Sequence, residues 1–209
     1  MIEQGSKEWK AERAGKATAS RIADVMAKTK SGPAASRANY LAQLVAERLT
    51  GEPSEGFVSA AMAHGTATEP EARNAYAFAT DNDVVQVGFI PHPTIEWSGA
   101  SPDGLVGDDG LVEIKCPNTA THIETLLGDG IDRKYLLQMQ WQMACTGRKW
   151  CDFVSYDPRL PASMSLLIRR VERDDILIAD VQREVSAFLK EVAETVAELQ
   201  SKYELKDAA

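Results

Sequence analysis

The chain has 209 residues, 44% of them hydrophobic and 26% charged, with a net charge of −8. That is the make-up of a soluble globule large enough for one domain, expected here over 1–209, and no apolar run approaches a membrane span. The opening Met1-Ile2-Glu3-Gln4 lacks the basic and apolar regions of a signal peptide, and Cys116, Cys145 and Cys151 lack Cys-x-x-Cys spacing, so a cytoplasmic protein with reduced thiols and no zinc or iron–sulfur site is expected.

Ser6 is placed to cap a short helix through Glu12 that Gly15 ends. A second helix is predicted from Thr18 to Lys28, followed by a breaker-rich loop, Lys30-Ser31-Gly32-Pro33. Tyr40, Leu41, Leu44, Val45, Arg48 and Leu49 keep helical spacing up to Gly51 and Pro53. The Ala-rich stretch from Phe57 to Thr80 reads as helix broken near Gly65 and restarted at Glu69, with Pro70 in the first turn of the second piece. Strands are expected at Val84–Ile90, Ser98–Pro102, Gly104–Val106 and Leu111–Cys116. Helices at 120–127 and 134–145 follow, then strands at 149–156 and 163–171 and a long helix from Asp174 to Tyr203. Helices before, within and after a mixed central sheet give a layered α/β class. There is no internal repeat, low-complexity tract or linker.

Net charge is a sum, whereas binding is local. The basic residues Lys7, Lys10, Arg13, Lys16, Arg21, Lys28 and Lys30 crowd the N-terminal stretch, and much of the acid lies beyond Glu172. This polarity suits an N-terminal side that faces a polyanion.

The chemistry concentrates in Ser101-Pro102-Asp103-Gly104 and Leu111-Val112-Glu113-Ile114-Lys115-Cys116. In a strand, Glu113 and Lys115 point to one face while Val112, Ile114 and Cys116 point to the core. The Asp108-Asp109-Gly110 turn closes a hairpin that returns Asp103 to Glu113. Two acids held close repel unless a cation sits between them, and a divalent metal preferring hard oxygens suits them. Lys115 beside it is placed to position or deprotonate a water, and to align the attacking water if the site lowers its pKa. That set serves phosphodiester hydrolysis; a solvated hairpin bearing surface Asp, Glu and Lys is the plainer reading of the same residues.

Pro102-Asp103 with Glu113-Ile114-Lys115 resembles the PD-(D/E)XK nuclease motif. Ser101-Pro102-Asp103-Gly104-Leu105 with Gly110-Leu111-Val112-Glu113-Ile114-Lys115-Cys116-Pro117 is similar to the phage lambda exonuclease (YqaJ-type viral recombinase) family. Trp9, Arg13 and Thr18-Ala19-Ser20, then Gly65 and Glu69, then Tyr135, Gln138 and Gln140, and Tyr156-Asp157-Pro158-Arg159 agree in order. The resemblance implies a restriction-endonuclease-like core and a Mg²⁺-dependent exonuclease, with Mn²⁺ able to substitute. Such an enzyme digests one strand of double-stranded DNA from its 5′ end, releases mononucleotides and leaves a 3′ overhang for recombination. It further implies that Glu69, Asp103, Glu113 and the carbonyl of Ile114 hold two Mg²⁺ ions. Lys115 and Gln138 would orient the water. Arg13, Thr18, Ser20 and Ser101 would grip the terminal 5′-phosphate. Lys30 would contact the groove and Met62 would wedge into the duplex end. A ring-shaped homotrimer and a single-strand annealing partner are implied with them.

On the residues alone, Glu69 also fits a helix N-terminal acid, Thr18 and Ser20 fit helix caps, Met62 fits a core methionine, and Gln138 fits an amide bonded to backbone in the core. His64 stands where the family has an aromatic residue, and whether it touches DNA is open. A restriction-like endonuclease with the same metal site and an inactive DNA-end-binding module are the alternative functions.

Overall fold

A computed structural model describes residues 2–30, 32–54 and 59–203. Helix α1 (Lys7–Arg13) is capped by Ser6, whose Oγ accepts from the Trp9 N–H at 3.1 Å. After Gly15, in the left-handed region at φ +70°, comes strand β1 (Ala17–Thr18), then a 3-10 turn (Ala19–Arg21) and the single turn α2 (Ile22–Val25). The expected helix from Thr18 is therefore displaced. Ala17 and Thr18 pair in parallel with Ser98 and Gly99, and that tertiary pairing overrides local propensity.

Strands β2 (Lys28–Thr29) and β3 (Gly32–Pro33) make a two-stranded ribbon where a loop is expected. Ser31 of that loop lies outside the described residues. Helix α3 (Ala35–Thr50) ends at left-handed Gly51.

Helix α4 (Ala60–Thr80) is continuous, against the expected break at Gly65; the expected start at Phe57 lies outside the described residues. A Cβ on Gly65 would sit 3.7 Å from the Cys116 carbonyl oxygen, so the glycine faces the sheet rather than ending the helix. Pro70 lies inside α4, exposed, and Ala72 and Tyr76 just beyond it are fully buried.

The expected strand Val84–Ile90 divides into β4 (Val84–Val85) and β5 (Ile90–Pro91), because its two ends join different sheets. Then follow β6 (Ser98–Ala100), β7 (Gly104–Val106), β8 (Gly110–Lys115), α5 (Thr119–Leu127), α6 (Arg133–Thr146), β9 (Trp150–Tyr156), β10 (Leu166–Glu172) and α7 (Asp175–Tyr203).

The five-stranded sheet runs β10-β9-β8-β7-β4, parallel between β8 and β9 and antiparallel elsewhere. A small sheet, β1-β6-β5, lies beside it in chain order. Both faces of β8 are buried. Val112, Ile114 and Cys116 pack with Ala72 and Tyr76 of α4, whereas Leu111 joins Met139, Trp141 and Phe153 in the larger core shared with α2, α3, α6 and α7. The face bearing Glu113 is thus interior rather than open, which accounts for the near-continuous apolar run of this strand. Gly104 is required by packing: a Cβ there would meet Val84 Cγ1 at 2.2 Å.

The two ends of the chain are not separate in charge. Lys28 pairs with Glu184 at 2.8 Å, so an acid of α7 neutralises one member of the basic N-terminal stretch, and Arg37 beyond that stretch pairs with Glu191 at 2.6 Å.

Candidate active site

Gly104 pairs with Val112, so Asp103 falls opposite Glu113, as the hairpin reading requires. Asp103 Oδ2 accepts the Ile114 N–H at 2.7 Å, which seats the Ile114 peptide beside the carboxylate. Glu113 is 1% exposed. Its Oε1 accepts from Lys115 Nζ at 2.5 Å and from Gln138 Nε2 at 2.6 Å, and its Oε2 from Gln142 Nε2 at 2.6 Å. Gln138 is therefore bonded to a carboxylate, not to backbone. Gln142 was not anticipated, although it sits one turn after Gln138 and helical spacing puts both amides on one face.

Glu69 sits in the middle of α4, so the helix-terminal reading of this acid does not hold; it pairs with Arg73 one turn on. Burial raises its pKa, and Glu113 adds to the rise against the pull of Arg73 and Lys115. Burial, then Glu113 and Glu69, push Asp103 well above the usual carboxylate range. The three acids thus share one electrostatic field, only partly offset by Lys115.

Burial pulls Lys115 down, but Glu113 and Asp103 outweigh it and hold the amine protonated. With no cation beside the acids, Lys115 is a charged donor to Glu113. Its Nζ also lies 5.0 Å from the centre of the Tyr135 ring.

Among the described residues no three His, Cys, Asp or Glu side chains form a metal shell; Glu113 is paired with Lys115, Glu69 with Arg73, and Asp103 accepts the Ile114 N–H. The donor set still fits a hard divalent cation: carboxylate oxygens and a nearby peptide, carrying mutual repulsion that such an ion relieves.

A cavity of about 640 Å³ is lined by Trp9, Arg13, Thr18, Ser20 and Arg21 and by the acids Glu47 and Glu52, among others. The Arg13 guanidinium stacks 3.8 Å from the Trp9 ring centre and makes no ion pair among the described residues. Burial lowers its pKa to about 10 against the pull of Tyr40 and Glu47, so it stays cationic at neutral pH while poorly solvated and only partly compensated, a state that a further anion would relieve. Thr18 is buried and its side chain caps nothing; its N–H donates to the Tyr40 hydroxyl at 3.1 Å. Ser20 is exposed in the 3-10 turn. Ser101 lies outside the lining but accepts from Trp9 Nε1 at 3.0 Å, so Trp9 links the cavity to the Ser101–Asp103 segment.

Met62 is 57% exposed on the first turn of α4, which rules out the core reading, and it lies two turns before Glu69 on the same helix. Lys30 is exposed at the β2–β3 turn. His64 Nδ1 lies 3.4 Å from Thr68 Oγ1, and its buried Nε2 has no partner among the described residues. The three cysteines are free and buried. No described helix is long and apolar enough to cross a membrane.

A mixed sheet with helices on both faces, and an Asp–Glu–Lys cluster at the β7–β8 hairpin, define the restriction-endonuclease-like α/β fold. The chain belongs to the YqaJ-like viral recombinase domain family, which it matches over residues 8–149. Two solved structures of LHK-Exo are similar to it at 55% identity and a TM-score of 0.90, over 98% of this chain and 100% of theirs. One is described as an alkaline exonuclease from Laribacter hongkongensis and the other as a complex with dAMP. A phage-related exonuclease from Haemophilus somnus 129PT shares the fold, with a TM-score of 0.71 at 14% identity over 88% of this chain and 96% of its own. No curated protein sequence matched.

Proposed function

We propose that this protein is a Mg²⁺-dependent exonuclease that digests one strand of double-stranded DNA from the 5′ end, releasing 5′-mononucleotides and leaving a 3′ overhang. The observation that carries this reading is the pairing of two sites on one short segment. Asp103, Glu113 and Lys115 meet at the hairpin, and Ser101, two residues before Asp103, is bonded through Trp9 to the cationic cavity of Arg13. A pocket that reads a terminal phosphate beside a hydrolytic centre gives directionality: the end is held while the next linkage is cut.

Glu69, Asp103, Glu113 and the Ile114 carbonyl would hold two Mg²⁺ ions, with Mn²⁺ able to substitute. The bound ions would stabilise charge on the scissile phosphate and acidify a water. Lys115 and Gln138 donate hydrogen bonds that orient that water. Arg13, Thr18, Ser20 and Ser101 grip the 5′-phosphate, a guanidinium with hydroxyls being a good phosphate receptor. Met62, apolar and exposed, suits a wedge at the duplex end, and Lys30 suits a groove contact. The family resemblance supports a homotrimer and a single-strand annealing partner, and the three free cysteines support a cytoplasmic site of action.

The test uses end-labelled linear duplexes carrying 5′-phosphate or 5′-hydroxyl ends, with a supercoiled circle as control. Metal-dependent release of nucleotides, faster from phosphorylated ends and absent on the circle, is expected. Opening of the circle would instead make the protein an endonuclease, and no release with any divalent metal would make it an end-binding module.

A further inference from the structure

Glu113 is approached from two sides. Lys115 and Gln138, both partly exposed, take its Oε1. Gln142, 0% exposed, takes its Oε2 from within the core. The amide of Gln142 is oriented at both ends: Nε2 faces the carboxylate, and the Cys151 thiol lies 4.0 Å from Oε1. No substrate atom can reach Gln142, so any effect on the reaction passes through Glu113. The last torsion of a glutamate is broad and roughly two-fold. A two-fold turn only exchanges equivalent oxygens, but a carboxylate bonded at one oxygen alone can swing its plane, whereas one bonded at both Oε1 and Oε2 is held.

We infer that Gln142 is a positioning residue: by bonding Oε2 it holds the plane of the Glu113 carboxylate with Oε1 toward Lys115 and Gln138, in the orientation that would meet the cation. This rests on the metal-site reading above. Donors behind a metal-binding carboxylate orient it, and their loss costs about 10–100-fold in metal affinity or activity. Methionine matches glutamine in length but cannot donate.

The apo forms of wild type, Gln142→Met and Glu113→Gln are titrated with MgCl₂ by calorimetry, with thermal unfolding in EDTA as the check on folding. Gln142→Met is expected to fold, to bind Mg²⁺ about 10–100-fold more weakly, and to need correspondingly more Mg²⁺ for half-maximal activity, with KM for DNA ends unchanged. A folded Gln142→Met that binds Mg²⁺ within about twofold of wild type overturns the inference while Glu113→Gln still loses binding. If Glu113→Gln also keeps full affinity, the metal-site reading fails and the inference with it. If Gln142→Met does not fold, wild type labelled with ¹⁵N-glutamine decides: the Gln142 side-chain amide signals should shift with the calorimetric Mg²⁺ midpoint, and unmoved signals overturn the role.

Discussion

Asp103 is desolvated and faces Glu113 and Glu69, with Lys115 as partial relief. A carboxylate so placed opposes folding, whether it stays ionised or takes up a proton, until a cation arrives. Asp103→Asn keeps an oxygen for the Ile114 N–H and removes that charge. The apo variant should melt higher than wild type, by about 2–4 °C for each kcal/mol relieved, while Mg²⁺ should raise the melting point of wild type far more than that of the variant. Hydrolysis should fall by about 100-fold or more, beyond what loss of a supporting group costs. A variant that melts below wild type in EDTA would contradict the repulsion; normal turnover would contradict the ligand role. Arg13 is the matching case on the substrate side, a stacked, poorly solvated guanidinium without an ion pair among the described residues. A charge-assisted bond to phosphate is worth about 1.5–3 kcal/mol, roughly tenfold to over a hundredfold. Arg13→Ala should therefore slow digestion of 5′-phosphorylated ends by that factor and leave 5′-hydroxyl ends near the wild-type rate. Equal loss on both ends would move Arg13 to general backbone binding.

Helix α4 carries Glu69 to the site and is tied to the sheet just beyond it: Tyr156 donates to Glu71 at 2.8 Å and Tyr76 to Asp152 at 2.8 Å. Pro70 interrupts this helix chemically without ending it. It lacks the N–H that would bond the Thr66 carbonyl, and its ring crowds that carbonyl. Pro70→Ala should stabilise the protein by about 1–2 kcal/mol, the full helix penalty of proline being about 3 and partly offset by its stiffening of the unfolded chain. Unfolding in urea would measure it, and a destabilised variant would mean that the proline ring packs against something α4 needs. Proline also shows where sequence reading reaches its limit. Elements fixed by their own periodicity and caps, such as α3 with Gly51 or α1 with Ser6, were legible from the sequence, as was the β7–β8 hairpin with its acids. Elements decided by a distant partner were not. Ala17 and Thr18 read as helix but pair with Ser98 and Gly99, and Val84–Ile90 reads as one strand but serves two sheets. Gln142 was hidden for the same reason: nothing local distinguishes an amide aimed at Glu113 from one bonded to backbone.

At the scale of the molecule, the small sheet, α6 and α7 meet at His92, which follows β5. Its ring stacks on Trp141 of α6 at 4.9 Å between centres, and its Nε2 lies 3.1 Å from Gln182 Nε2 of α7. Its Nδ1 accepts the N–H groups of Thr94 and Ile95 at 3.2 and 3.0 Å, a role that needs a free lone pair. Lys16 and Glu96 line the same hollow, with opposite charges. Burial lowers the His92 pKa below its usual 6.5, so the native ring is neutral where the unfolded chain begins to take up a proton. Stability from this group is fully present above pH 6.5 and is lost as pH falls through 6.5 toward the folded value, because the unfolded state then binds more protons. The limiting slope is about 1.4 kcal/mol per pH unit for one proton. His92→Asn keeps an acceptor for the two turn N–H groups and removes the titration. Melting points of wild type and variant, compared from pH 8 to pH 5, should converge toward the acid end. A constant gap across that range would show that His92 does not couple the packing of these three elements to protons.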